Sequence, residues 1–190
     1  MKNNFYLALV HSPIRNKNSE EVTTSVTNMD IHDISRSCRT FGVKKYFIVT
    51  PLQKQVELVQ RILSHWKGDV ANNYNPDRFE AMSIIELSPS VEKVAEQIEQ
   101  AEGKKPIIAV TGANFEKFKG QVPDLTKFSQ DEDRPILLLF GTGWGLHQKV
   151  LDLADYSLEP IFAAKNADGY NHLSVRSAVA IYLDRITNIR

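Results

Sequence analysis

Short apolar runs alternate along this chain with longer segments in which apolar residues recur every three or four positions. Short apolar runs are typical of buried strands, and the longer period is typical of amphipathic helices. Six strands are predicted: Phe5–Val10, Tyr46–Thr50, Ser83–Leu87, Pro106–Val110, Ile136–Phe140 and a short one near Tyr156–Leu158. Five helices are predicted at about Ile31–Phe41, Leu52–Trp66, Ser90–Glu102, Leu146–Leu153 and Ser174–Ile186.

The alternation of strands and helices predicts an α/β fold, a mostly parallel sheet flanked by helices. Asp30 is expected to start the first helix, and Ser88-Pro89 is expected to open the helix predicted from Ser90. Two polar stretches, Asn72–Asp77 and Ser129–Arg134, are predicted to be surface loops. A length of 190 residues without a linker-like break indicates one domain over residues 1–190.

The composition argues against a membrane-spanning, secreted or metal-binding protein. No apolar run approaches the roughly 20 residues of a membrane-spanning helix, and the N-terminal residues lack the pattern of a secretory signal. The single cysteine, Cys38, excludes an intramolecular disulfide and fits a reducing compartment, so a cytoplasmic location is expected. One cysteine and five histidines without paired ligand spacing predict no metal site. A net charge of zero still allows a local basic face.

A glycine-rich loop follows the strand predicted at Ile136–Phe140. Its sequence is Gly141-Thr142-Gly143-Trp144-Gly145-Leu146. Glycines let a backbone approach a ligand closely or adopt positive φ, and a strand, a glycine turn and a helix form the ligand crevice of open α/β sheets. The glycine spacing matches neither the dinucleotide-binding fingerprint nor the P-loop. The nature of the ligand therefore stays open at this point.

Two other segments carry candidate polar groups. Thr111-Gly112-Ala113 follows the fourth predicted strand, and it matters for function only if it lies beside the glycine-rich loop. Near the C-terminus, either Asn171 or Ser174 is expected to cap the last helix. Tyr170, His172 and Arg176 surround these caps and carry polar groups that are costly to bury unpaired.

The first predicted helix has a core face made of Ile31, Ile34, Cys38 and Phe41. Arg36 lies on another face, early on the helix and near the strand ends. An arginine there is suited to bidentate binding of phosphate.

Taken in order, three segments resemble the motifs of the SpoU–TrmD (SPOUT) class of RNA methyltransferases. They are Asp30 to Ser37 with Phe41-Gly42, Leu139 to Leu146 ending at Leu158-Glu159-Pro160, and His172 to Val175. Through HSPIRNKN, DIHDISRSCRTFGV, LLLFGTGWGL and YNHLSVRSA the chain is similar to a small bacterial branch of S-adenosylmethionine-dependent RNA methyltransferases. The resemblance implies a C-terminal trefoil knot, a homodimer with sites near the subunit interface, and S-adenosylmethionine as cofactor.

The class binds this cofactor in a bent shape, largely through backbone groups of three adjacent loops. The resemblance maps the cofactor site onto Thr111, Gly112, Ala113, Phe140, Gly141, Thr142, Gly143, Gly145, Leu158, Pro160, Ile161, Leu173 and Ser174.

The resemblance also implies a catalytic set. Arg36 occupies the position of the arginine that orients RNA and favours deprotonation of a ribose 2′-hydroxyl, and a fixed cation there would stabilise the developing alkoxide. Ser174 and Asp30 complete the predicted set. The residues expected to bind RNA are Arg15, Lys17, Arg36, Arg39, His172 and Arg176.

The chain departs from the class at four positions: Asp30, His32, Gly143 and His172 replace asparagine, glycine, glutamate and asparagine. These departures leave the methyl acceptor open, with the ribose oxygen favoured. A base-methylating enzyme would want a general base, for which Asp30, Asp33 or His172 could serve.

The prediction is thus an S-adenosylmethionine-dependent RNA methyltransferase acting on tRNA or rRNA. One alternative is a knotted module that binds RNA or the cofactor but has lost catalysis, and Arg36→Ala would separate the two. Another is a nucleotide-binding enzyme of a different α/β class, which would bind ATP or NAD and not S-adenosylmethionine.

Overall fold

A computed structural model describes residues 4–66, 75–164 and 168–188 of the chain. Its strands are β1 (Phe5–Val10), β2 (Ile14–Arg15), β3 (Glu21–Val22), β4 (Lys45–Val49), β5 (Ile85–Ser88), β6 (Ile107–Val110), β7 (Ile136–Gly141) and β8 (Tyr156–Ser157). Its helices are α1 (Asn28–Thr40), α2 (Gln53–Trp66), α3 (Pro76–Ser83), α4 (Val91–Glu102), α5 (Val122–Glu132), α6 (Gln148–Leu151) and α7 (Val175–Thr187).

Six strands form one parallel sheet in the order β5-β4-β1-β7-β6-β8. In the centre, Leu7 of β1 lies opposite Tyr46 of β4 on one side and Leu138 of β7 on the other. The strands are apolar at nearly every position because helices cover both faces of the sheet. Helices α1, α2, α3, α5 and α7 pack on one face, and α4 and α6 pack on the other. The predicted α/β class is confirmed.

The start of α1 differs from the prediction. Thr27, not Asp30, is the N-cap, and its hydroxyl accepts a hydrogen bond from the Asp30 backbone N–H. The Asp30 carboxylate in turn accepts a hydrogen bond from Thr27 Oγ1, so both residues satisfy the open end of the helix. Likewise Ser90, and not Ser88-Pro89, caps α4. Ile31, Ile34 and Cys38 are fully buried as predicted, and Phe41 packs beside them.

Two predicted loops are helical where the structure describes them. Asn75 caps α3, so Pro76 and Asp77 belong to its first turn, while residues 72–74 lie outside the described residues. Residues Ser129–Glu132 form the last turn of α5, which ends at Asp133 with φ +48°. Both helices begin with a capping side chain and a proline in the first turn, which outweighs their high polarity.

All carboxyl ends of the parallel strands lie at one edge of the sheet, where open α/β folds form their ligand sites. Over this edge folds a short antiparallel hairpin, β2 with β3, which pairs Ile14 with Val22. Of the helices in the described residues, none has the length and apolar character needed to cross a membrane.

Candidate active site

Three loops leave neighbouring strands at the carboxyl edge of the sheet. Strands β7, β6 and β8 are adjacent, and the loops that follow them begin at Thr142, Thr111 and Leu158. Thr111 donates to the Leu139 carbonyl through both its backbone N–H, at 3.1 Å, and its hydroxyl, at 2.9 Å. The Leu158 N–H donates to the Val110 carbonyl at 3.0 Å. The Thr111-Gly112-Ala113 segment therefore lies beside the glycine-rich loop.

Hydrogen bonds join the segment before α7, and α7 itself, to the third loop, which begins at Leu158. Asn171 donates from Nδ2 to the Ile161 carbonyl at 3.1 Å, and the Tyr182 hydroxyl donates to the Glu159 carbonyl at 2.7 Å. Ser174 is the N-cap of α7, since its Oγ accepts from the Ser177 N–H at 3.2 Å. Of the two predicted caps, Ser174 fills the role, and Asn171 holds the loop instead.

The glycine-rich loop folds back on itself and onto the β2 hairpin. A Cβ on Gly141 would lie 2.8 Å from the Leu146 backbone nitrogen, so a side chain there would push the loop apart. Gly145 has φ +101°, a conformation strained for other residues. The Arg15 N–H donates to the Gly145 carbonyl at 2.9 Å, and the Trp144 N–H donates to the Arg15 carbonyl at 3.3 Å. These two glycines therefore serve the shape of the loop itself.

A chain of three hydrogen-bonding side chains, the half-buried Thr142 and Thr24 and the buried His11, lies beneath this loop. Thr142 Oγ1 hydrogen-bonds to Thr24 Oγ1, which also lies 3.1 Å from His11 Nδ1. His11 follows β1 directly, its side chain is fully buried, and its Nε2 has no hydrogen-bond partner among the described residues. Desolvation lowers the pKa of His11 to about 4, against a smaller opposing effect of Asp30. The imidazole is therefore neutral at physiological pH.

Sequence reasoning missed His11 as part of this site. The available signal was a histidine directly after the apolar run of β1, at the edge where parallel strands present their functional side chains.

Asp30, predicted to be catalytic, is buried and fully engaged. Its Oδ1 accepts from Arg176 Nη1 at 2.7 Å, and its Oδ2 accepts from Thr27. Arg176 also lies 3.6 Å from the exposed Asp33 carboxylate. Arg176, predicted to bind RNA, thus has its charge compensated within the chain, and the pair ties α1 to α7.

Arg36, predicted to be catalytic, lies outside the three loops. It is the ninth residue of α1, in the second half of the helix, so the expectation that it stands early on α1 is wrong. The helix begins three residues before its predicted start, and Arg36 is about 12 Å along its axis. Its exposed side chain lines a cavity toward α3 together with Arg39, whose guanidinium pairs with Glu80 at 2.7 Å. In the described residues it makes no hydrogen bond or ion pair to the three loops.

The remaining predicted RNA-binding residues lie near the loops. Arg15 Nη2 is 3.5 Å from the Trp144 carbonyl, while Lys17 is exposed on the turn of the hairpin. His172 is exposed, with its ring centroid 5.8 Å from that of Tyr170.

Four of the predicted cofactor-binding residues have buried side chains: Thr111, Phe140, Leu158 and Pro160. Phe140 packs against Tyr182 at 5.9 Å between ring centroids, and Leu158 lies in the core, so both can offer only backbone groups to a ligand. In the described ranges, no three His, Cys, Asp or Glu side chains come together as a metal-binding group.

Comparison with known proteins places the chain in a family. The model of a family described as SAM-dependent RNA methyltransferase matches residues 4–188. A protein of Aquifex aeolicus is 37% identical over 189 residues, covering 96% of this chain and 88% of that protein. A tRNA (guanine-N(1)-)-methyltransferase of Oleidesulfovibrio alaskensis is 40% identical over 189 residues. That match covers 96% of this chain but 42% of the relative, so the chain spans less than half of its length.

The fold is also similar to solved structures. The SpoU methyltransferase AviRb of Streptomyces viridochromogenes, in complex with AdoMet, aligns with a TM-score of 0.59 at 17% identity. The alignment covers 100% of this chain and 59% of AviRb. The sheet order, the three loops at its carboxyl edge and the family match over nearly every residue lead to one conclusion: the chain belongs to the S-adenosylmethionine-dependent RNA methyltransferase family.

Proposed function

We propose that this protein transfers the methyl group of S-adenosylmethionine to tRNA. Methylation of RNA follows from the family, and the choice of tRNA is supported by the name of the O. alaskensis relative. Because the chain spans less than half of that relative's length, the tRNA specificity of the relative is a proposal for this chain.

One observation carries the proposed cofactor site: three loops start side by side above β7, β6 and β8. These loops leave large hydrophobic side chains exposed to solvent. The exposed fraction is 64% for Trp144, 64% for Phe162, 70% for Tyr170 and 47% for Leu173. Exposed apolar groups clustered in neighbouring loops are typical of ligand or protein contacts. The proposed site uses Thr111–Ala113, Gly141–Leu146 and Leu158–Ile161, with Leu173 and Ser174, and the proposal includes the trefoil knot of the class.

The proposed methyl acceptor is a ribose 2′-oxygen. The transfer breaks the S–CH₃ bond, forms an O–CH₃ bond, and releases the hydroxyl proton and S-adenosylhomocysteine. Base methylation would favour a free carboxylate as general base, whereas both carboxylate oxygens of Asp30 accept hydrogen bonds and only 6% of its side chain is exposed. This engagement removes Asp30 as the general base, and Asp33, the other candidate carboxylate, lies 3.6 Å from the Arg176 guanidinium. Both observations support the ribose over the base, and exposed His172 is the remaining candidate base.

Arg36 is proposed to act across a homodimer interface. Within one chain it points into a cavity between α1 and α3, away from the three loops. A catalytic role therefore requires that Arg36 of one subunit serve the loops of its partner. Mixing Arg36→Ala chains with chains inactivated at the glycine-rich loop should then restore activity in the heterodimers, while a monomer, or a mixture without restored activity, would contradict shared sites.

The decisive experiment incubates the protein with labelled S-adenosylmethionine and, separately, tRNA and rRNA from a strain lacking the gene. Nucleoside mass spectrometry then separates a 2′-O-methylnucleoside from 1-methylguanosine. We expect label in tRNA as a 2′-O-methylnucleoside, lost in Arg36→Ala and kept in Arg185→Ala, a control at an exposed arginine of α7. Label in rRNA alone, or in a base, would refute the corresponding part of the proposal.

A further inference from the structure

A cavity of about 690 Å³ lies between α1, α2 and α3, outside the three loops. Trp66 is half-buried in its wall, with the Arg78 guanidinium 4.9 Å from its ring centroid. The rings of His32 and His65 approach Trp66 edge-on, at 5.7 and 5.4 Å between centroids. Arg61 and Asp33 complete the wall, and we call this space the aromatic cavity.

A second cavity of about 470 Å³ continues along α1 and α3. Arg78 lines both cavities, and Arg36 and Arg39 line only the second, which we call the arginine cavity. The two cavities therefore adjoin at Arg78, and we call them together the groove: aromatic rings lie at one end and cationic side chains at the other.

Four arginines line this groove, Arg36, Arg39, Arg61 and Arg78, together with three carboxylates, Asp33, Asp77 and Glu80. Arg39 is paired with Glu80, and Asp33 lies next to Arg176. Within residues 4–66, 75–164 and 168–188, no carboxylate forms a salt bridge with Arg36, Arg61 or Arg78. Unpaired guanidinium groups attract phosphate, which they bind bidentately.

His32 has an unsatisfied polar atom in the wall of the aromatic cavity. Its Nδ1 is buried and has no hydrogen-bond partner among the described residues. Burial lowers the pKa of His32, and the charges of Arg78 and Arg36 lower it further against the opposing effect of Asp33. Because Nδ1 is not accessible to a ligand, a hydrogen bond from the neutral imidazole to the edge of a nucleobase would involve Nε2.

We propose that this groove binds a single-stranded segment of the substrate RNA, with one unstacked base in the aromatic cavity and the adjoining phosphates in the arginine cavity. The inference rests on the proposed function. Proteins recognise unpaired RNA bases by stacking them on aromatic rings or on arginine guanidinium planes. The cavity volume lies within the range of small-ligand sites, and the neighbouring arginines supply the backbone contacts.

Fluorescence can follow this site directly, because the chain has two tryptophans, Trp66 and Trp144. In Trp144→Phe protein, a mixed-sequence single-stranded RNA of roughly 12 nucleotides should quench Trp66 saturably, since such binders cover about 4–16 nucleotides. The same titration of Trp66→Phe protein reports any quenching of Trp144. The fluorescence of Trp66 is also followed while the protein is diluted without RNA. This measurement tests whether a second copy of the chain occupies the groove instead.

Variants test the groove by RNA affinity, measured as the fluorescence anisotropy of the same labelled RNA. Loss of a stacking aromatic weakens single-strand binding by about 5- to 150-fold, so Trp66→Leu should fall in this range and Trp66→Phe should lose less. Arg78→Gln and Arg61→Gln should weaken binding and reduce its salt dependence. Arg185→Gln, which removes one exposed charge of α7, should change affinity less than about twofold if the effect is local to the groove.

The outcomes separate this inference from the proposed function. If RNA is methylated while Trp66 is not quenched and Trp66→Leu binds RNA like the wild type, the groove proposal fails and the methyltransferase stands. If no RNA is methylated but the groove binds RNA as described, the proposed function fails alone. The proposed contact of Arg36 with the partner subunit involves only the arginine cavity, since Trp66 lines only the aromatic cavity. Trp66 fluorescence that changes on dilution without RNA would therefore place the aromatic cavity itself in the subunit interface and overturn its assignment to RNA. Calorimetric binding of S-adenosylmethionine to Trp66→Leu must match the wild type, because a loss there would assign Trp66 a structural role.

Discussion

His11 follows the central strand β1, and its fully buried imidazole links the stability of the protein to pH. Burial lowers the pKa of His11 from 6.5 to about 4, and the Asp30 carboxylate opposes only part of this shift. In the unfolded chain the ring regains a pKa of about 6.5. Between these two values the unfolded chain binds a proton that the folded protein excludes, so the free energy of unfolding falls as the pH is lowered.

The size of this effect follows from the two pKa values. Lowering the pH from about 7 to about 4.5 should remove about 2 kcal/mol of stability through His11 alone. The full contribution is present above the unfolded-state pKa and is lost as the pH falls toward the folded-state pKa. Below about pH 4 both states are protonated, and His11 causes no further loss.

Urea unfolding at these two pH values, followed by circular dichroism, measures the effect. In His11→Asn the amide can still reach Thr24 but cannot titrate. We expect this variant to be less stable at neutral pH, yet to lose about 2 kcal/mol less than the wild type on acidification. His65→Asn, at an exposed site on α2, is the control. It removes a ring contact with Trp66, but its loss of stability on acidification should equal that of the wild type. If His11→Asn loses stability as steeply as the wild type, buried neutral His11 is not the cause.

Gly145→Ala should lower the free energy of unfolding by about 1–3 kcal/mol, because φ +101° strains any residue with a Cβ; an unchanged thermal midpoint would contradict the loop geometry. Arg176→Met should lower it by about 3 kcal/mol, since it leaves the buried Asp30 carboxylate without its cation. In the double variant with Asp30→Asn, chemical denaturation should show part of that stability restored. If the losses of the two single variants simply add, Asp30 and Arg176 do not interact. Cys38 should react with a thiol reagent only as the chain unfolds, because its thiol is buried and burial raises its pKa. Rapid labelling of native protein, detected by mass spectrometry, would contradict this burial.

The sheet strands could be predicted because each is a short apolar run buried on both sides. Phe5–Val10 is confirmed without change, and the other sheet strands lie within two residues of their predicted ends. Helices α3 and α5 were not predicted, because their apolar faces are short and their polar residues suggested loops. The β2–β3 hairpin has two residues in each strand, too few for a periodic pattern, and its position depends on backbone hydrogen bonds to the glycine-rich loop.

The candidate site, like the fold, could be predicted from the sequence only in part. The order of the three motifs indicated the family, because each motif is a continuous stretch of sequence. The chain from His11 through Thr24 to Thr142 joins residues from three separate segments, so no local pattern contains it. The aromatic cavity is missed for the same reason, since Trp66 and Arg78 come from different helices and meet only after α2 and α3 pack beside α1.

Helix α1 connects the two parts of the molecule that RNA methylation would use. Near its start, Asp30 binds Arg176 and so fixes α1 to α7, whose cap follows the third loop. Six residues later, about 9 Å along the helix axis, Arg36 lines the arginine cavity. Because one rigid helix carries both contacts, the proposed RNA groove is held at a fixed distance from the α7 cap. Breaking the Asp30–Arg176 pair should therefore weaken RNA binding even though neither side chain lies in the groove.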